Sequence, residues 1–389
     1  MKRRIPVFGI LIILIGISFT PLNQGMNIGE AYHPISTSNT LYVGGSGEGN
    51  YTKIQDAIDN ASDGDTVYVY KGTYYENVLI DKSINLIGEA SDTTVIDGNG
   101  VGDVVTILVN WVNLSGFTIN HSGVKYNAGI KVKSSNNTIC DNIISNNDDA
   151  IDIWSCSGFN LIINNAIISN NYGISSYSDI GNDTIIGNNI SLNNIGIDIH
   201  GGADVNIIDN IVNSNQWGIG LSACHNSTIK NNTILSNNGG GIGIDSIWKK
   251  EIDIIGNNIQ YNKGGIWLYL VKYINIKYNN IKNNIIHGIE ILSGSLISVE
   301  INNITNNEVG CKLDYCGSML IRKNNFIKNN NHTVFFWLVN ITYYANYWDD
   351  WIGVKIKFPF FQRFPKMIRN GITPRIKFDW HPAKEPYDI

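Results

Sequence analysis

An asparagine-rich pattern recurs nine times between residues 141 and 330, and successive copies begin 22 to 25 residues apart. Each copy has asparagine, or once aspartate, followed by any residue, an apolar residue, two more residues and asparagine. The first positions are Asp141, Asn165, Asn188, Asn210, Asn232, Asn257, Asn279, Asn302 and Asn325, and the second positions run from Asn146 to Asn330. A fixed period of this length is typical of a solenoid, in which each copy forms one coil of a rod.

Two apolar columns accompany the asparagines. One runs from Ile143 to Ile327 between the asparagine positions, and the other, usually preceded by glycine, runs from Ile151 to Val334. Each copy therefore predicts about three short strands, which can bury an apolar face only by stacking on the next copy. Helical spacing of apolar residues is missing from these glycine- and asparagine-punctuated segments. We expect the stacked amides to hydrogen-bond from coil to coil at the bends.

The two ends of the repeat predict caps. Thr52-Lys53-Ile54-Gln55 has the form of a capping box, so we predict a short amphipathic helix that covers the edge of the first coil. Between Ile352 and Phe378 there are seven basic residues and no acidic one, interleaved with phenylalanine and proline. We interpret residues 351–389 as an irregular terminal cap with a basic-aromatic tail. The alternative is an anchor to an anionic envelope polymer or to lipid headgroups.

These features resemble the right-handed parallel β-helix proteins of the pectate-lyase-like and NosD-like superfamily. Residues 41–98 are similar to the N-terminal start of that group, and Asn346-Tyr347-Trp348-Asp349-Asp350-Trp351 resembles the tail of NosD-like and archaeal surface β-helix proteins. The resemblance implies an all-β, right-handed parallel β-helix of about 12 coils with ~23 residues each. It says little about activity, because this fold hosts many chemistries.

The N-terminus has the composition of an export signal. Lys2, Arg3 and Arg4 precede the apolar run Ile5–Phe19, which is rather short for a stable membrane span. We assign residues 1–25 to a signal peptide or N-terminal anchor, 26–40 to a linker, 41–350 to the β-helix and 351–389 to the cap. We expect an extracytoplasmic protein, secreted or at the cell surface, with membrane or envelope association through the anchor or the tail. Sequons such as Asn226-Ser227-Thr228 allow glycosylation in a host with that machinery.

Charge and cysteine content exclude several functions. The net charge is −5, and without the basic segments at residues 2–4 and 352–378 and the last eleven residues the charge of residues 5–351 is −13, so the rod itself is acidic and disfavours nucleic acid. Five cysteines without a Cys-X-X-Cys pair predict neither a disulfide framework nor a zinc or redox site.

An outward-facing column predicts a binding surface, because side chains alternate along a strand. It reads Asp152, Ser175, Asp198, Gly220, Asp245, Trp267, Glu290 and Lys312. Carboxylates on alternate coils, about 10 Å apart, suit cations or a polymer that runs along the rod. We therefore predict ligand binding by Asp152, Asp198, Asp245, Trp267 and Glu290, with Trp154 and Trp217 on neighbouring turns. Solvated charges that keep rods apart are the alternative interpretation.

Catalytic and metal-binding candidates are fewer. Asp148-Asp149, which precedes Asp152, is similar to the paired carboxylates of β-helix glycoside hydrolases, so Asp148, Asp149 and Asp152 are the catalytic candidates. The scarcity of arginine in the coils counts against a polysaccharide lyase. No motif requires a cofactor. The acidic column brings Ca²⁺ into consideration, and the NosD-like resemblance brings copper, for which His200, Cys224 and His225 are the candidate ligands.

The sequence as a whole favours a binding or structural role towards a polysaccharide or cell-envelope glycan. Two alternatives remain open. One is a carbohydrate-active enzyme, either a polysaccharide lyase or a glycoside hydrolase, and the other is a NosD-like copper-binding accessory protein.

Overall fold

A computed structural model describes residues 38–350, 366–369, 376–379 and 381–389, apart from 155–157, 178–180, 248–250 and 337–339. The predicted signal, most of the predicted linker and the greater part of the basic tail lie outside the described residues. In the described part the chain forms a right-handed parallel β-solenoid of about 13 turns. The prediction of an all-β parallel β-helix is confirmed.

Each coil contributes three strands, which stack on the corresponding strands of the next coil in three rows, here called A, B and C. Row A is a parallel sheet of 13 strands. Its strands are Gly72–Tyr75, Thr94–Asp97, Thr118–Asn120, Ile143–Ser145, Ala166–Ile168, Asn189–Ser191, Ile211–Asn213, Thr233–Leu235, Asn258–Gln260, Asn280–Lys282, Asn303–Thr305, Asn325–Ile327 and Tyr347–Trp348.

Row B follows row A in each coil after a short turn. Its strands are Val78–Ile80, Val105–Ile107, Ala128–Val132, Asp149–Ile153, Tyr172–Ser176, Ile195–His200, Trp217–Ser222, Gly240–Ile247, the first halves of Gly264–Lys277 and His287–Glu300, Val309–Asp314 and Asn331–Phe336. All pairs in this row are parallel and in register, for example Ile151 with Ile174 and Ile174 with Ile197.

Row C completes each coil. Its strands are Thr40–Val43, Thr66–Val69, Asn85–Gly88, Asn113–Ser115, Thr138–Cys140, Leu161–Ile163, Thr184–Ile186, Asn206–Ile208, Ser227–Lys230, Ile252–Ile255, the second halves of Gly264–Lys277 and His287–Glu300, Ser318–Arg322 and Asn340–Tyr344. In Gly264–Lys277 and His287–Glu300 rows B and C run together without a break.

Inward residues of the three rows form one apolar core along the rod. Ile144 and Ile167 of row A, Ile151 of row B, and Ile139 and Ile162 of row C are all fully buried. A glycine stands before the inward isoleucine in most row B strands, and close backbone packing requires it. A Cβ atom on Gly173 would lie 2.3 Å from the carbonyl oxygen of Gly196 in the next coil.

Two ladders of buried asparagines stabilise the bends between strands through hydrogen bonds from coil to coil. The first lies between rows C and A, and the second lies between rows A and B. The first consists of Asn142, Asn165, Asn188, Asn210, Asn232, Asn257, Asn279, Asn302, Asn324 and Asn346; the second of Asn147, Asn170, Asn193, Asn215, Asn237, Asn262, Asn284, Asn307 and Asn329. Along both ladders each Nδ2 donates to the Oδ1 of the equivalent asparagine one coil on, as in Asn188 to Asn210 at 3.0 Å.

Each rung also satisfies the backbone. The Nδ2 of Asn188 donates to the Ile162 carbonyl at 2.9 Å, and the Asn188 backbone N–H shares the Oδ1 of Asn210. The predicted register is wrong by one residue in the first and last copies, where the ladder positions are Asn142, Asn147, Asn324 and Asn329. Asp141 instead takes the exposed left-handed bend position, at φ 56°, that Asn164 and Gly187 occupy in later coils.

The N-terminal helix spans Ile54–Asn60 and buries Ile54, Ala57 and Ile58 against the first coil. The predicted capping box is wrong. The residue at the cap is Lys53, without a side-chain hydrogen bond, and the carboxylate of Glu76 accepts from the backbone N–H groups of Ile54 and Gln55 instead. A carboxylate at this position also favours the positive end of the helix dipole.

The far end of the first ladder is closed by Asp379. Its strand, Ile376–Asp379, pairs antiparallel with Lys366–Arg369 and meets Asn340–Tyr344 of the last coil. Oδ2 of Asp379 accepts from the backbone N–H and Nδ2 of Asn346 and from Nε1 of Trp348. A carboxylate suits this position because it only accepts hydrogen bonds, and the last asparagine has only donors left to satisfy.

Candidate functional site

The paired aspartates at the start of one row B strand lie in very different surroundings. Asp149 is the first residue of the strand Asp149–Ile153 and is only 3% exposed, whereas Asp148 precedes it in the turn and is half-buried. Asp149 is therefore buried although it directly follows the turn, whereas part of Asp148 stays exposed to solvent.

A depression of about 490 Å³ lies beside these two residues. We call it the tyrosine cavity. Val124, Lys125, Tyr126, Asp148, Asp149, Asn171, Tyr172 and Tyr177 line it. The cavity lies where the turn between rows A and B meets the outer face of row B, and three successive coils contribute to it. Tyrosines on separate coils provide apolar faces with polar tips around a carboxylic acid.

Asp148 is held as an acceptor at the cavity wall. Its Oδ2 accepts from the backbone N–H of Tyr126 at 2.8 Å, and its Oδ1 accepts from the Nδ2 of Asn171 at 3.0 Å. Asn171 is itself held by the Nδ2 of Asn194, which donates to its Oδ1 at 3.2 Å. Both oxygens of Asp148 are thus fixed in position as hydrogen-bond acceptors.

Asp149 is a weaker acid than an ordinary aspartate. Burial raises its pKa to about 7, and the neighbouring charges of Asp152 and Asp148 act in the same direction. A side-chain hydrogen bond from Ser175 and the charge of Lys131 oppose this rise without cancelling it. The tyrosine cavity thus contains a carboxylic acid, Asp149, that keeps its proton near neutral pH, next to the hydrogen-bonded carboxyl group of Asp148.

Lys131 lies behind the cavity in a buried ion cluster. Its Nζ is 3.1 Å from Asp103 and 3.5 Å from Oδ2 of Asp152, and it donates to the Tyr126 carbonyl at 2.8 Å. Asp152 is only 3% exposed, and its Oδ1 has no hydrogen-bond partner. Burial raises the pKa of Asp152, and Lys131 counteracts this rise. The cluster places negative charge next to Asp149.

The other wall of the cavity continues to the next coil. Tyr172 and Tyr177 are joined by a side-chain hydrogen bond and meet edge to face, with ring centroids 6.1 Å apart. Tyr177, which is 47% exposed, also stacks on His200 at 5.3 Å. The His200 ring bonds to Asp198 at 3.2 Å, and this hydrogen bond raises the pKa of His200. A half-exposed aromatic platform therefore extends from the cavity along row B.

The register of the predicted outward column is confirmed except at one position, but Asp152 and Ser175 are buried and do not contribute to an exposed surface. Asp152, Ser175, Asp198, Gly220, Trp267, Glu290 and Lys312 follow one another in register, but Gly243, and not Asp245, occupies the fifth position. Asp245 lies two residues further along, next to Ser222, whose hydroxyl donates to it at 2.8 Å. The extra glycines at the start of that strand explain the shift.

Glu290 is already engaged by protein groups. Nζ of Lys312 lies 2.8 Å away and Nδ1 of His287 lies 3.2 Å away. Burial alone would raise the pKa of Glu290, but the hydrogen bonds from His287 and Lys312 lower it to about 2. The negative charge of Glu290, which is predicted to bind a ligand, is therefore already paired with His287 and Lys312.

Exposed aromatic rings continue along the same face. Trp154 is 47% exposed, with Nζ of Lys133 4.7 Å from its ring centroid, and Trp217 is 48% exposed. Further along, Trp267 stacks on Tyr269 with centroids 5.7 Å apart. The tryptophans singled out in the sequence thus share one face of the rod with the tyrosine cavity.

Sequence reasoning missed Tyr126, Tyr172, Tyr177 and Asp103, and it did not find the pairing of Lys131 with Asp103 and Asp152. One sequence signal could have pointed to the cavity. At the start of these row B strands, Asp149 is followed in register by Tyr172, Ile195, Trp217 and Gly240 on successive coils. This position varies in chemistry from coil to coil while the ladder positions stay constant.

Comparison with known proteins identifies the family. A family model described as periplasmic copper-binding protein (NosD) matches residues 58–252 and 194–284, and a model for the right handed beta helix region matches residues 243–347. The chain belongs to the NosD family. The resemblance noted from the sequence is thereby confirmed.

Curated relatives and solved structures match over different lengths. Two probable pectinesterase/pectinesterase inhibitors of Arabidopsis thaliana are 47% identical over 60 residues and 34% identical over 102 residues. These matches cover 14% and 24% of the chain but only 11% and 18% of the two relatives. The chain thus spans less than a fifth of the curated relatives it matches.

The similar solved structures share the fold at low identity. The A-module of a mannuronan C-5 epimerase from Azotobacter vinelandii has a TM-score of 0.53 at 14% identity, covering 75% of this chain and 88% of that one. An alginate lyase in complex with G6 has a TM-score of 0.53 at 13% identity and 80% and 85% coverage. The catalytic domain of a GH87 alpha-1,3-glucanase with tetrasaccharides has a TM-score of 0.52 at 12% identity and 81% and 70% coverage.

The predicted copper ligands do not fit a copper centre. Burial raises the pKa of the Cys224 thiol to about 11, and the thiol donates to the carbonyls of Ile199 and Ser222. His200 is engaged by Asp198 and Tyr177. Within the described residues, the one group of three ligand-type side chains whose atoms lie within 4.8 Å is His332, Asp349 and Asp350. Its oxygen-rich set, with Lys366 on Asp350, lacks the soft donors that copper(I) prefers.

Within the described residues, no helix combines the length and the apolar character needed to cross a membrane.

Proposed function

We propose that this chain is an extracytoplasmic β-helix protein that binds a neutral or amine-bearing polysaccharide along row B, with the tyrosine cavity as the central subsite. The observation that carries the proposal is the cavity itself, in which Tyr126, Tyr172 and Tyr177 surround polar anchors on three coils. The family model's description as periplasmic and the basic, apolar N-terminus support the location.

The row B face has the chemistry of a sugar-binding surface. Aromatic rings pack against the C–H faces of pyranose rings, while Asp148 and Asn171 offer hydrogen-bond acceptors and donors for hydroxyl groups. Trp154 and Trp217 provide further exposed rings on the same face, each about half exposed. A groove built from repeated coils suits a ligand that is itself a repeating polymer.

Charge narrows the class of polysaccharide. Four aspartates lie in or beside the groove, Asp103, Asp148, Asp152 and Asp198, and they outnumber the three lysines there, Lys125, Lys131 and Lys133. Lys131 is already paired with Asp103 and Asp152. A polyuronate would bring further carboxylates to this surface and be repelled. Two of the structural relatives carry alginate or mannuronan in their descriptions, so we expect this chain to differ from them in ligand charge.

The test is a binding panel with the full chain. Titration calorimetry with cello-, laminari- and chito-oligosaccharides, the last both acetylated and deacetylated, is compared with mannuronate oligomers of equal length. We expect binding to at least one neutral or amino oligosaccharide and none to mannuronate. Tyr177→Ala should weaken binding by about 10-fold or more, which is the usual loss for an aromatic side chain that the bound ligand covers.

A matched control separates the site from general effects on the fold. Tyr261 is 57% exposed in a turn outside the cavity, so Tyr261→Ala should leave the affinity unchanged. Failure of all neutral and amino oligosaccharides to bind, or an unchanged affinity in Tyr177→Ala, would refute the proposal. Preferential binding of mannuronate would refute its charge argument.

A further inference from the structure

Asp149 has a feature that sugar binding alone does not need. A residue that only hydrogen-bonds hydroxyl groups works best when it is ionised and hydrated, as is common on protein surfaces. Asp149 lines the tyrosine cavity but is only 3% exposed. Its neighbour Asp148 accepts hydrogen bonds from two N–H donors. Burying a carboxyl group costs stability, so a functional reason for its position is expected.

We propose that the tyrosine cavity hydrolyses a glycosidic bond, with Asp149 as the general acid and Asp148 as the general base. This inference rests on the proposed function, because it requires the polysaccharide to occupy the cavity. Both carboxyl groups line the cavity, and they belong to adjacent residues whose surroundings differ as described above.

The proposed step balances with water as the only co-reactant. Asp149 gives its proton to the glycosidic oxygen, the bond from that oxygen to the anomeric carbon breaks, and its electron pair stays on the leaving oxygen. A water molecule adds to the anomeric carbon and passes one proton to Asp148. The products are two shorter sugars with free hydroxyl groups, and solvent carries the proton from Asp148 back to Asp149.

The raised pKa of Asp149 and the hydrogen bonds of Asp148 suit this assignment. Burial and the charges of Asp152 and Asp148 raise the pKa of Asp149 to about 7, so it still carries a proton when most carboxyl groups have lost theirs. Asp148 accepts from Tyr126 and Asn171 through both oxygens and retains lone pairs for water. Asp152, held by Lys131, acts as a positioning residue because its charge keeps the proton on Asp149.

The experiment uses the full chain and the oligosaccharides that bind in the calorimetric panel, incubated in water labelled with oxygen-18. Mass spectrometry measures the rate of shortening and the label at the new reducing end. We expect shortened products with one labelled oxygen. Asp149→Asn and Asp148→Asn should each lower the rate by about 100-fold or more while binding changes by less than about threefold.

Two controls keep a structural effect apart from a chemical one. Asp209 is exposed in a bend between rows C and A, so Asp209→Asn should leave the rate unchanged. Asp152→Asn removes one of the charges that raise the pKa of Asp149. It should move the alkaline limb of the rate profile to lower pH by about one unit, whereas mere loss of fold would lower the rate equally at every pH.

The groups that face Asp149 all enter this pH dependence. They are Asp148 in the preceding turn, Asp152 on the same strand, Lys125, Tyr126 and Lys131 on the preceding coil, and Ser175, Tyr172 and Tyr177 on the following coil. With Asp149 as the acid, the wild-type rate should fall as the pH rises through about 7.

The outcomes distinguish this inference from the proposed function. Binding without any shortening would overturn the hydrolytic assignment and leave the binding function standing, whereas no binding would refute both. Products without oxygen-18 would also overturn hydrolysis, and an undiminished rate in Asp149→Asn would overturn the role of Asp149.

Discussion

The asparagine ladders and the tyrosine cavity both contain buried polar side chains, and they meet at the same bend of the coil. Asn147 and Asn170 of the second ladder directly precede Asp148 and Asn171 of the cavity in the sequence. In the ladder each group bonds to an identical group one coil on, and every coil repeats the arrangement. At the cavity Asp149 is in register with Tyr172 of the next coil, and behind the cavity Asp152 pairs with Lys131 while its Oδ1 has no partner. The ladders therefore depend on repetition, whereas the cavity lies where the repetition is interrupted.

The largest effect that tests this contrast is expected in mid-ladder. Asn210→Ala removes the acceptor of the Asn188 backbone N–H and the donor to the carbonyls of Ile185 and Ile208. Each buried group left without a partner costs about 1–3 kcal/mol, so we expect a loss of about 4 kcal/mol in the free energy of unfolding. Urea denaturation followed by far-ultraviolet circular dichroism measures it.

The control for that variant is an asparagine outside the ladder. Asn238 follows the ladder residue Asn237 but is exposed, so Asn238→Ala should cost less than about 0.5 kcal/mol. Equal losses in the two variants would show that composition, and not the ladder, determines stability.

The ladder was largely predictable from the sequence because its residues repeat. A period of 22 to 25 residues fixes which side chains stack, and the expected single file of amides is present from Asn165 to Asn302. The one-residue errors at the two ends arose because Asp141 and Asn325 sit next to the true ladder residues and also fit the pattern. Neighbouring polar residues can be told apart only by backbone geometry.

The cavity could be predicted only in part. Asp148, Asp149 and Asp152 stood out as a local cluster, but their burial depends on Lys131 and Ser175 in other coils. Tyr126, Tyr172 and Tyr177 follow no period, so no pattern brought them together. Contacts between unlike residues on different coils require coordinates, whereas contacts between like residues follow from the repeat.

The end of the ladder tests whether the last rung needs an acceptor. Asp379→Ala leaves the backbone N–H and Nδ2 of Asn346 and Nε1 of Trp348 without their carboxylate. Water can reach a terminal coil more easily than a central one, so we expect a smaller loss of about 3 kcal/mol, measured as a shift of the urea midpoint. Asp388, exposed near the C-terminus, supplies the control Asp388→Ala, which should change nothing measurable. No loss in Asp379→Ala would mean that the ladder ends without a cap.

A third, shorter ladder of buried polar side chains consists of Asn137, Asn160 and Asp183, so its last member is an aspartate and not an asparagine. The backbone N–H groups of Asn137 and Asn160 donate to Asn160 and Asp183, respectively, and Oδ2 of Asp183 has no partner. Burial raises the pKa of Asp183 to about 6, and the hydrogen bonds from Asn160 oppose this rise. We expect Asp183→Asn to raise the free energy of unfolding by about 2 kcal/mol at pH 7.5.

The sign of its pH dependence follows from the raised pKa. The folded state holds the Asp183 proton more tightly than the unfolded state, whose pKa is 3.8, so ionisation destabilises the fold as the pH rises from about 4 through about 6. The gain from Asp183→Asn should therefore shrink at pH 4. Asp209→Asn, at an exposed bend, should show no such dependence. A gain of the same size at both pH values would rule out ionisation as the cause.

The smallest effect is expected on the outer face, where charges pair across coils without forming a ladder. Lys312→Met keeps the aliphatic stem and removes the charge that lies 2.8 Å from Glu290. Because Lys312 is 29% exposed, we expect a loss of about 0.5 kcal/mol that diminishes in 1 M salt. The lowered pKa of Glu290, about 2, adds a pH signature. Its stabilisation is present above the unfolded value of 4.5 and is lost as the pH falls through about 2, so the variant should lose less stability on acidification than the wild type. A loss as large as that of Asn210→Ala would show that ion pairs on the outer face stabilise the fold as much as the buried ladders do. The outer-face positions would then not be free to vary from coil to coil, and this explanation for the tyrosine cavity would fail.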